Sequence, residues 1–275
     1  MEKKIGKTSD YIIELSDIAF LQLEIEKYSE SEKNFLICLE HFKRQLDRLG
    51  QAAVLGILGT LYFKKGQYKS SIYNYLKAYE IYEELKQIEE VITCLKGIGN
   101  SYIKLNQLDK ACDIYLDCSE VCSENNDIYN LLDCLGNLIQ INENQERWDI
   151  VFELYKKALK AFKELNDDRG IIITYYNLGI LQKKFNKLEK SLGYFKKGTN
   201  IAINSSFAEL ILKGLSYIGE IFVYQGKIKD AKNEYIKALK LAKKVNAKNA
   251  MIQLRILLNS IGLSDTDIEK ELDEI

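Results

Sequence analysis

One spacing governs what this chain can fold into: an aromatic side chain returns every 40 residues, at Phe35, Tyr75, Tyr115, Tyr155, Phe195 and Tyr235. Three residues after each comes a small one: Cys38, Ala78, Cys118, Ala158, Gly198 and Ala238. Earlier in the unit run two apolar rows, Leu15, Leu55, Leu95, Leu135, Tyr175, Leu215 and Ile18, Leu58, Ile98, Leu138, Leu178, Ile218. A nearly constant small row follows: Ala19, Gly59, Gly99, Ile139, Gly179 and Gly219. Six units align without an insertion, the signature of a repeat architecture.

Within a unit the apolar spacing of three and four residues is helical, as in Leu55, Leu58, Gly59 and Tyr62. Two breaks divide it. The first carries Gly66, Asn106, Asn186 and Gly226, with Glu146 as the exception; the second carries Asn126, Asn166 and Asn246. Gly and Asn tolerate the left-handed backbone that closes a helix. Each unit therefore reads as a helix hairpin, and a hairpin that cannot bury its apolar face alone must stack on its neighbours. The complete lack of Pro suits uninterrupted helices and disfavours a loop-rich β protein.

These residues resemble the tetratricopeptide repeat family. Gly56-Ile-Leu-Gly-Thr-Leu-Tyr62 with Tyr75 and Ala78 matches its pattern, as do Gly97 to Tyr102 with Ala111 and Tyr115, and Tyr217 to Phe222 with Ala231, Tyr235 and Ala238. The resemblance runs from about Tyr11 to Asn246. The period is longer than the usual, roughly 34 residues, and the terminal Pro is absent. Both departures fit the longer-helix variety found in peptide sensors and regulatory scaffolds. The unit at 131–165 also lacks the Gly and the Tyr, with Ile139 and Asn142 instead. The resemblance implies an all-α, right-handed superhelical α-solenoid of about six helix-turn-helix repeats. The expected organisation is an N-terminal segment at 1–10 and repeats at about 11–50, 51–90, 91–130, 131–170, 171–210 and 211–247. A capping helix at 248–262, with no second helix to partner it, and a short acidic amphipathic tail at 263–275 complete it. Ser264 and Asp267 mark the start of a tail helix with Ile268, Leu272 and Ile275 on one side. That helix is expected to dock near the Lys-rich last repeats or on a neighbouring copy.

Chemistry-bearing residues are sparse. The single His, His41, has no nucleophile or carboxylate motif around it, and no glycine-rich phosphate loop occurs, so no catalytic residues and no cofactor are expected. Cys118 and Cys122 lie one helical turn apart and could hold a metal with Cys112 or Cys94. The stronger reading takes them as small apolar residues, because Cys38 and Cys118 stand where other repeats have Ala or Gly. Six Cys without a signal peptide read as reduced thiols of a cytoplasmic protein. The longest uncharged run, Leu49 to Phe63, has 15 residues, short of the roughly 20 a membrane helix needs.

Charge is balanced overall, at −1, but segregated. Ala111 to Asp149 carries nine acids and one base, and Lys183 to Lys248 carries fifteen Lys and five acids. The lysines lack interleaved base-stacking motifs, so a solvated face or an acidic partner is expected and nucleic acid is not.

The family binds extended peptides on the inner faces of its first helices. On those rows stand Gly56, Lys96, Gly136, Tyr176 and Ser216, then Ile57, Gly97, Asn137, Asn177 and Tyr217, then Thr60, Asn100, Gln140, Ile180 and Glu220. Lys96, Asn100, Asn137, Gln140, Tyr176 and Asn177 are the expected peptide groove. Family members that grip a C-terminal carboxylate use five polar residues over three repeats; Lys96, Asn100 and Asn137 match three of them, while Ile173 and Asn177 stand where two bases belong. The expected function is a non-catalytic scaffold for a protein or extended peptide, acidic or C-terminal in character. The alternatives are a peptide-sensing regulator whose ligand changes its conformation, or a homo-oligomeric adaptor such as a homodimer.

Overall fold

The computed structural model describes the backbone of residues 2–273 and the side chains of residues 11–272. Among the described residues there are fourteen helices and no strand. They are α1 (Glu2–Glu24), α2 (Tyr28–Arg44), α3 (Arg48–Lys64), α4 (Tyr68–Glu84), α5 (Ile88–Lys104), α6 (Leu108–Glu124) and α7 (Ile128–Asn144). They continue with α8 (Trp148–Glu164), α9 (Asp168–Lys184), α10 (Leu188–Asn204), α11 (Ala208–Tyr224), α12 (Ile228–Lys244), α13 (Lys248–Ser260) and α14 (Asp265–Asp273). None is long and apolar enough to cross a membrane.

The turns explain this regularity. From α2 to α12 every helix has 17 residues and every connection has three. The middle residue of each connection has positive φ, at Glu26, Leu46, Gly66, Lys86, Asn106, Asn126, Glu146, Asn166, Asn186, Ser206, Gly226 and Asn246. The 40-residue unit is thus two 20-residue halves. At the α3–α4 connection Gln67 N–H donates to the Tyr62 carbonyl (2.8 Å) and Gly66 N–H to the Phe63 carbonyl (2.9 Å), which satisfies the terminal carbonyls of the helix. Asp47 and Asp167 cap the helices that follow them by accepting from Gly50 N–H (2.9 Å) and Gly170 N–H (3.0 Å).

Two compact units divide the chain, Met1–Ile141 and Asn142–Ile275. Each is a stack of antiparallel helix hairpins, the α-solenoid class. In the first, Phe35 packs fully buried among Ile12, Leu15, Ala19, Leu23, Leu58 and Leu61; burying one such aromatic contributes about 1.5–3 kcal/mol. A hydroxyl device ties paired helices together. Ser31, Ser71 and Ser191, all buried, donate to the carbonyls of Ala19 (2.7 Å), Gly59 (2.8 Å) and Gly179 (2.8 Å).

In the second unit, Tyr235, Ala238 and Leu239 of α12 meet Leu254 and Leu258 of α13. The expectation that no second helix partners the capping helix is corrected here, because α14 supplies it. Ile268 and Leu272 are buried in the same cluster, and Glu271 and Glu269 pair with Lys232 of α12 and Arg255 of α13. Ser264 and Asp267 start α14 reciprocally: Ser264 Oγ donates to Asp267 Oδ2 (2.6 Å) and Asp267 N–H donates to Ser264 Oγ (3.2 Å). The expected apolar position Ile275 and the side chains of 1–10 lie outside the described residues.

Candidate functional site

Four of the six expected groove residues lie in the first unit. α5 carries Lys96 and Asn100, and α7 carries Asn137 and Gln140. Lys96 is half-buried; its Nζ donates to Asn130 Oδ1 (3.0 Å) and pairs with Asp133 Oδ2 (2.5 Å). Burial works against the ammonium charge, but the hydrogen bond and charge of Asp133 outweigh it and hold the Lys96 pKa above its ordinary value. Asn137 Nδ2 donates to the Asp133 carbonyl (3.0 Å), one turn back on its own helix. Asn100 Oδ1 accepts from Tyr115 Oη (2.8 Å), and Gln140 is exposed.

An acid stands among the residues that match the carboxylate clamp. Of its three matching groups, the Lys96 ammonium is paired with the Asp133 carboxylate, and the Asn137 amide bonds to the Asp133 backbone carbonyl. An incoming carboxylate would have to compete with the Asp133 carboxylate for the Lys96 ammonium.

The other two expected residues lie in the second unit, on α9. Tyr176 is 2% exposed and cannot line a groove. Glycine explains the difference. Where other repeats have Ala or Cys, this one has Gly198, and where others have Val, Cys, Thr or Leu, α11 has Gly214. A Cβ on Gly198 would sit 2.6 Å from the Tyr176 ring, and one on Gly214 would overlap its hydroxyl. The ring fills the slot these residues leave, and its hydroxyl donates to the Leu210 carbonyl (2.8 Å). Burial pushes the Tyr176 phenol up to about 12. Asn177 is half-buried, and the row beside it is apolar, with Ile173 41% and Ile180 39% exposed.

A groove that residue reasoning missed opens between α11 and α13, with a volume of about 1050 Å³. Leu212 and Leu254, both buried, form its floor, and Tyr217, Ser216 and Leu257 its walls. Ser216 opens space because its short side chain bonds back to the Leu212 carbonyl (2.8 Å). Tyr217 is held from behind, stacked on Phe195 (4.7 Å between ring centroids) and edge-on to Tyr176 (5.6 Å). Lys213 and Lys248 stand at the rim with Glu209, whose carboxylate already pairs with Arg169 (3.6 Å). The rim is thus basic over an apolar floor. Ser216 and Tyr217 stand on the very rows named in the sequence. The signal that pointed elsewhere was polarity, which drew the expected groove to the Asn-rich repeats.

An α-helical repeat with 40-residue units, small residues opposite aromatics and a groove between first helices defines a class of binding solenoid. The tetratricopeptide repeat family profile matches residues 12–84 and 127–204, more than half of the chain, and the chain belongs to that family. Regulatory protein RapD of Bacillus subtilis (strain 168) is 27% identical over 119 residues, 42% of this chain and 32% of RapD. The chain thus matches about a third of the length of that curated relative. The apo form of RapI has 15% identity and a TM-score of 0.56, covering 94% of this chain and 99% of that one. Aspartyl phosphate phosphatase F of Bacillus subtilis has 15% identity and a TM-score of 0.52, covering 92% and 70%. At that identity the likeness to both structures is one of fold.

Proposed function

We propose that this chain is a regulatory binding protein, a non-catalytic scaffold that holds an extended peptide segment of a protein partner in the α11–α13 groove. The groove carries the reading: its volume of about 1050 Å³ lies just above the range for small-ligand pockets, about 300–1,000 Å³, and leaves room for a peptide segment. An apolar floor suits side chains of the peptide, and a rim with two lysines and one already paired acid favours acidic or amide-bearing segments. The regulatory role is supported by the resemblance to RapD.

The test is selection of peptides from a random display library on the immobilised full chain, followed by anisotropy titration of the recovered peptides. Ser216→Trp fills the groove and should weaken binding at least about tenfold, whereas Lys187→Ala, in the α9–α10 connection, should leave it unchanged. Peptides that bind Ser216→Trp as well as the parent chain place the ligand elsewhere. Phosphatase activity toward an aspartyl-phosphate protein that is lost with Ser216→Trp would overturn the non-catalytic part.

One observation favours the second reading, in which the ligand alters conformation. Tyr217 faces the groove, stacks on the buried Phe195 and meets the buried Tyr176 edge-on, so a ligand that moves Tyr217 also disturbs the α9–α10 packing. Peptide-induced change in the near-ultraviolet circular dichroism, absent in Tyr217→Leu, would support it; an unchanged spectrum at saturation would leave the rigid scaffold.

A further inference from the structure

All six cysteines are free and buried, and three of them meet. Cys118 and Cys122 lie one turn apart on α6, and Cys134 arrives on α7, with the three Sγ atoms all within 4.8 Å of one another. The thiol that joins them is Cys134 rather than Cys112 or Cys94, because the Asn125–Asp127 connection folds α7 back along α6. Each of the three is 0% exposed.

Use as small apolar filler does not account for the grouping. At the corresponding places the other repeats carry Cys38, Phe42 and Val54; Ala78, Tyr82 and Cys94; Ala158, Phe162 and Thr174; Gly198, Ala202 and Gly214; and Ala238, Ala242 and Leu254. No other repeat has more than one thiol there.

Three converging sulfurs are a ligand set for a thiophilic ion. An ion–sulfur bond of about 2.3 Å holds three sulfurs at most about 4 Å apart, less where the centre is pyramidal, and the three Sγ atoms, within 4.8 Å of one another, need only close in slightly. Charge then selects the ion. Beside the trio the Lys96 ammonium is paired with Asp133, and Asp127 adds another acid, so no net positive charge is available. Three thiolates leave a monovalent ion with two buried negative charges and a divalent ion with one, each costly without a partner. Structural zinc also calls for four ligands, and the group offers three. A trivalent centre gives a neutral complex.

We propose that Cys118, Cys122 and Cys134 form a three-thiolate site for trivalent arsenic or its antimony analogue, cross-linking α6 to α7. In the binding step, arsenous acid exchanges its three hydroxyls for three sulfurs. Three As–O bonds break, three As–S bonds form, and the three thiol protons leave on the hydroxyls as water; no oxidation state changes.

The test uses the full chain, reduced with a phosphine and desalted, with arsenite as the probe. Bound arsenic is counted by elemental analysis, and its neighbours by X-ray absorption. The expected result is one arsenic per chain with three sulfur neighbours and a raised melting temperature, since a ligand that binds only the folded state stabilises it. Cys118→Ala, Cys122→Ala and Cys134→Val each install a residue that a sibling repeat carries at that place, and each should weaken arsenite at least about tenfold. Cys94→Val, which likewise installs a sibling repeat's residue, should not. Arsenic with two sulfur neighbours in the parent chain, equal uptake by Cys134→Val, or tighter retention of zinc than of arsenite would overturn the proposal, the first and last needing no variant to fold.

Discussion

Gly179→Ala and Gly193→Ala add the same methyl group to neighbouring helices of the second unit and should act in opposite directions. In both helices Ala is favoured over Gly by about 1 kcal/mol. At Gly193, on the exposed side of α10, the new Cβ meets nothing within 4 Å, so most of that gain is realised. At Gly179 the Cβ would lie 2.6, 2.7 and 2.9 Å from Cε1, Cδ1 and Cζ of Phe195. That ring is 0% exposed and stacked on Tyr217 at 4.7 Å, so it has no room to withdraw. Overpacking of this kind costs about 1–3 kcal/mol, and the trapped ring puts the cost in the upper half. The net expectation is about 1–2 kcal/mol of destabilisation for Gly179→Ala and about 0.5–1 kcal/mol of stabilisation for Gly193→Ala. Repeat arrays can unfold in parts, so amide exchange of α9 and α10 should accompany urea midpoints. A Gly179→Ala protein as stable as Gly193→Ala would refute the close-approach account of the small-residue row.

Three further outcomes are expected. Lys86 holds positive φ (56°) with a full side chain, a conformation that costs about 1 kcal/mol, so Lys86→Gly should raise the urea midpoint; a lowered midpoint would show that the connection is not strained. Ile268 is fully buried between α14 and the α12–α13 pair, and Ile268→Ala should cost at least about 2 kcal/mol and strip exchange protection from α14, whereas unchanged protection would mean the helix is held by its ion pairs alone. Burial pushes the phenols of Tyr82, Tyr176 and Tyr235 up from 10.0 to about 12. The unfolded chain ionises them first, so their stabilising contribution is full below pH 10 and is lost as pH rises toward 12. Phenolate absorbance from every tyrosine at pH 10 with helicity intact would contradict this.

The repeat was legible because its determinants are local: a left-handed residue every 20 positions and apolar rows set by helical spacing. Even Leu46, Lys86 and Ser206, which carry no turn signal of their own, follow the period. What escaped was set by neighbours distant in sequence. Tyr176 shares a row with Lys96 and Ser216, yet Gly198 and Gly214 turn it inward, and nothing at position 176 itself announces that. Asp133, one turn before Asn137 on α7, pairs across helices with Lys96 (2.5 Å), which nothing at position 96 announces. Cys134 joins Cys118 and Cys122 only because a three-residue connection reverses the chain between them. The α14 docking near the Lys-rich repeats was legible from its acids and its Ile268–Leu272 edge, but its role as partner of α13 was not, because a nine-residue helix is decided by the surface that it finds, here Leu254 and Leu258, rather than by its own propensity.

The placement of the ligand is the central claim, and photo-crosslinking from two grooves tests it most directly. A benzoylphenylalanine at Gln253 looks onto the α11–α13 groove, and one at Tyr73, 61% exposed, onto the groove between α2 and α4. With a peptide selected on the full chain, illumination should attach it to the Gln253 variant and not to the Tyr73 variant, and excess unlabelled peptide should suppress the product. Attachment at Tyr73, with none at Gln253, would contradict the assignment of the groove.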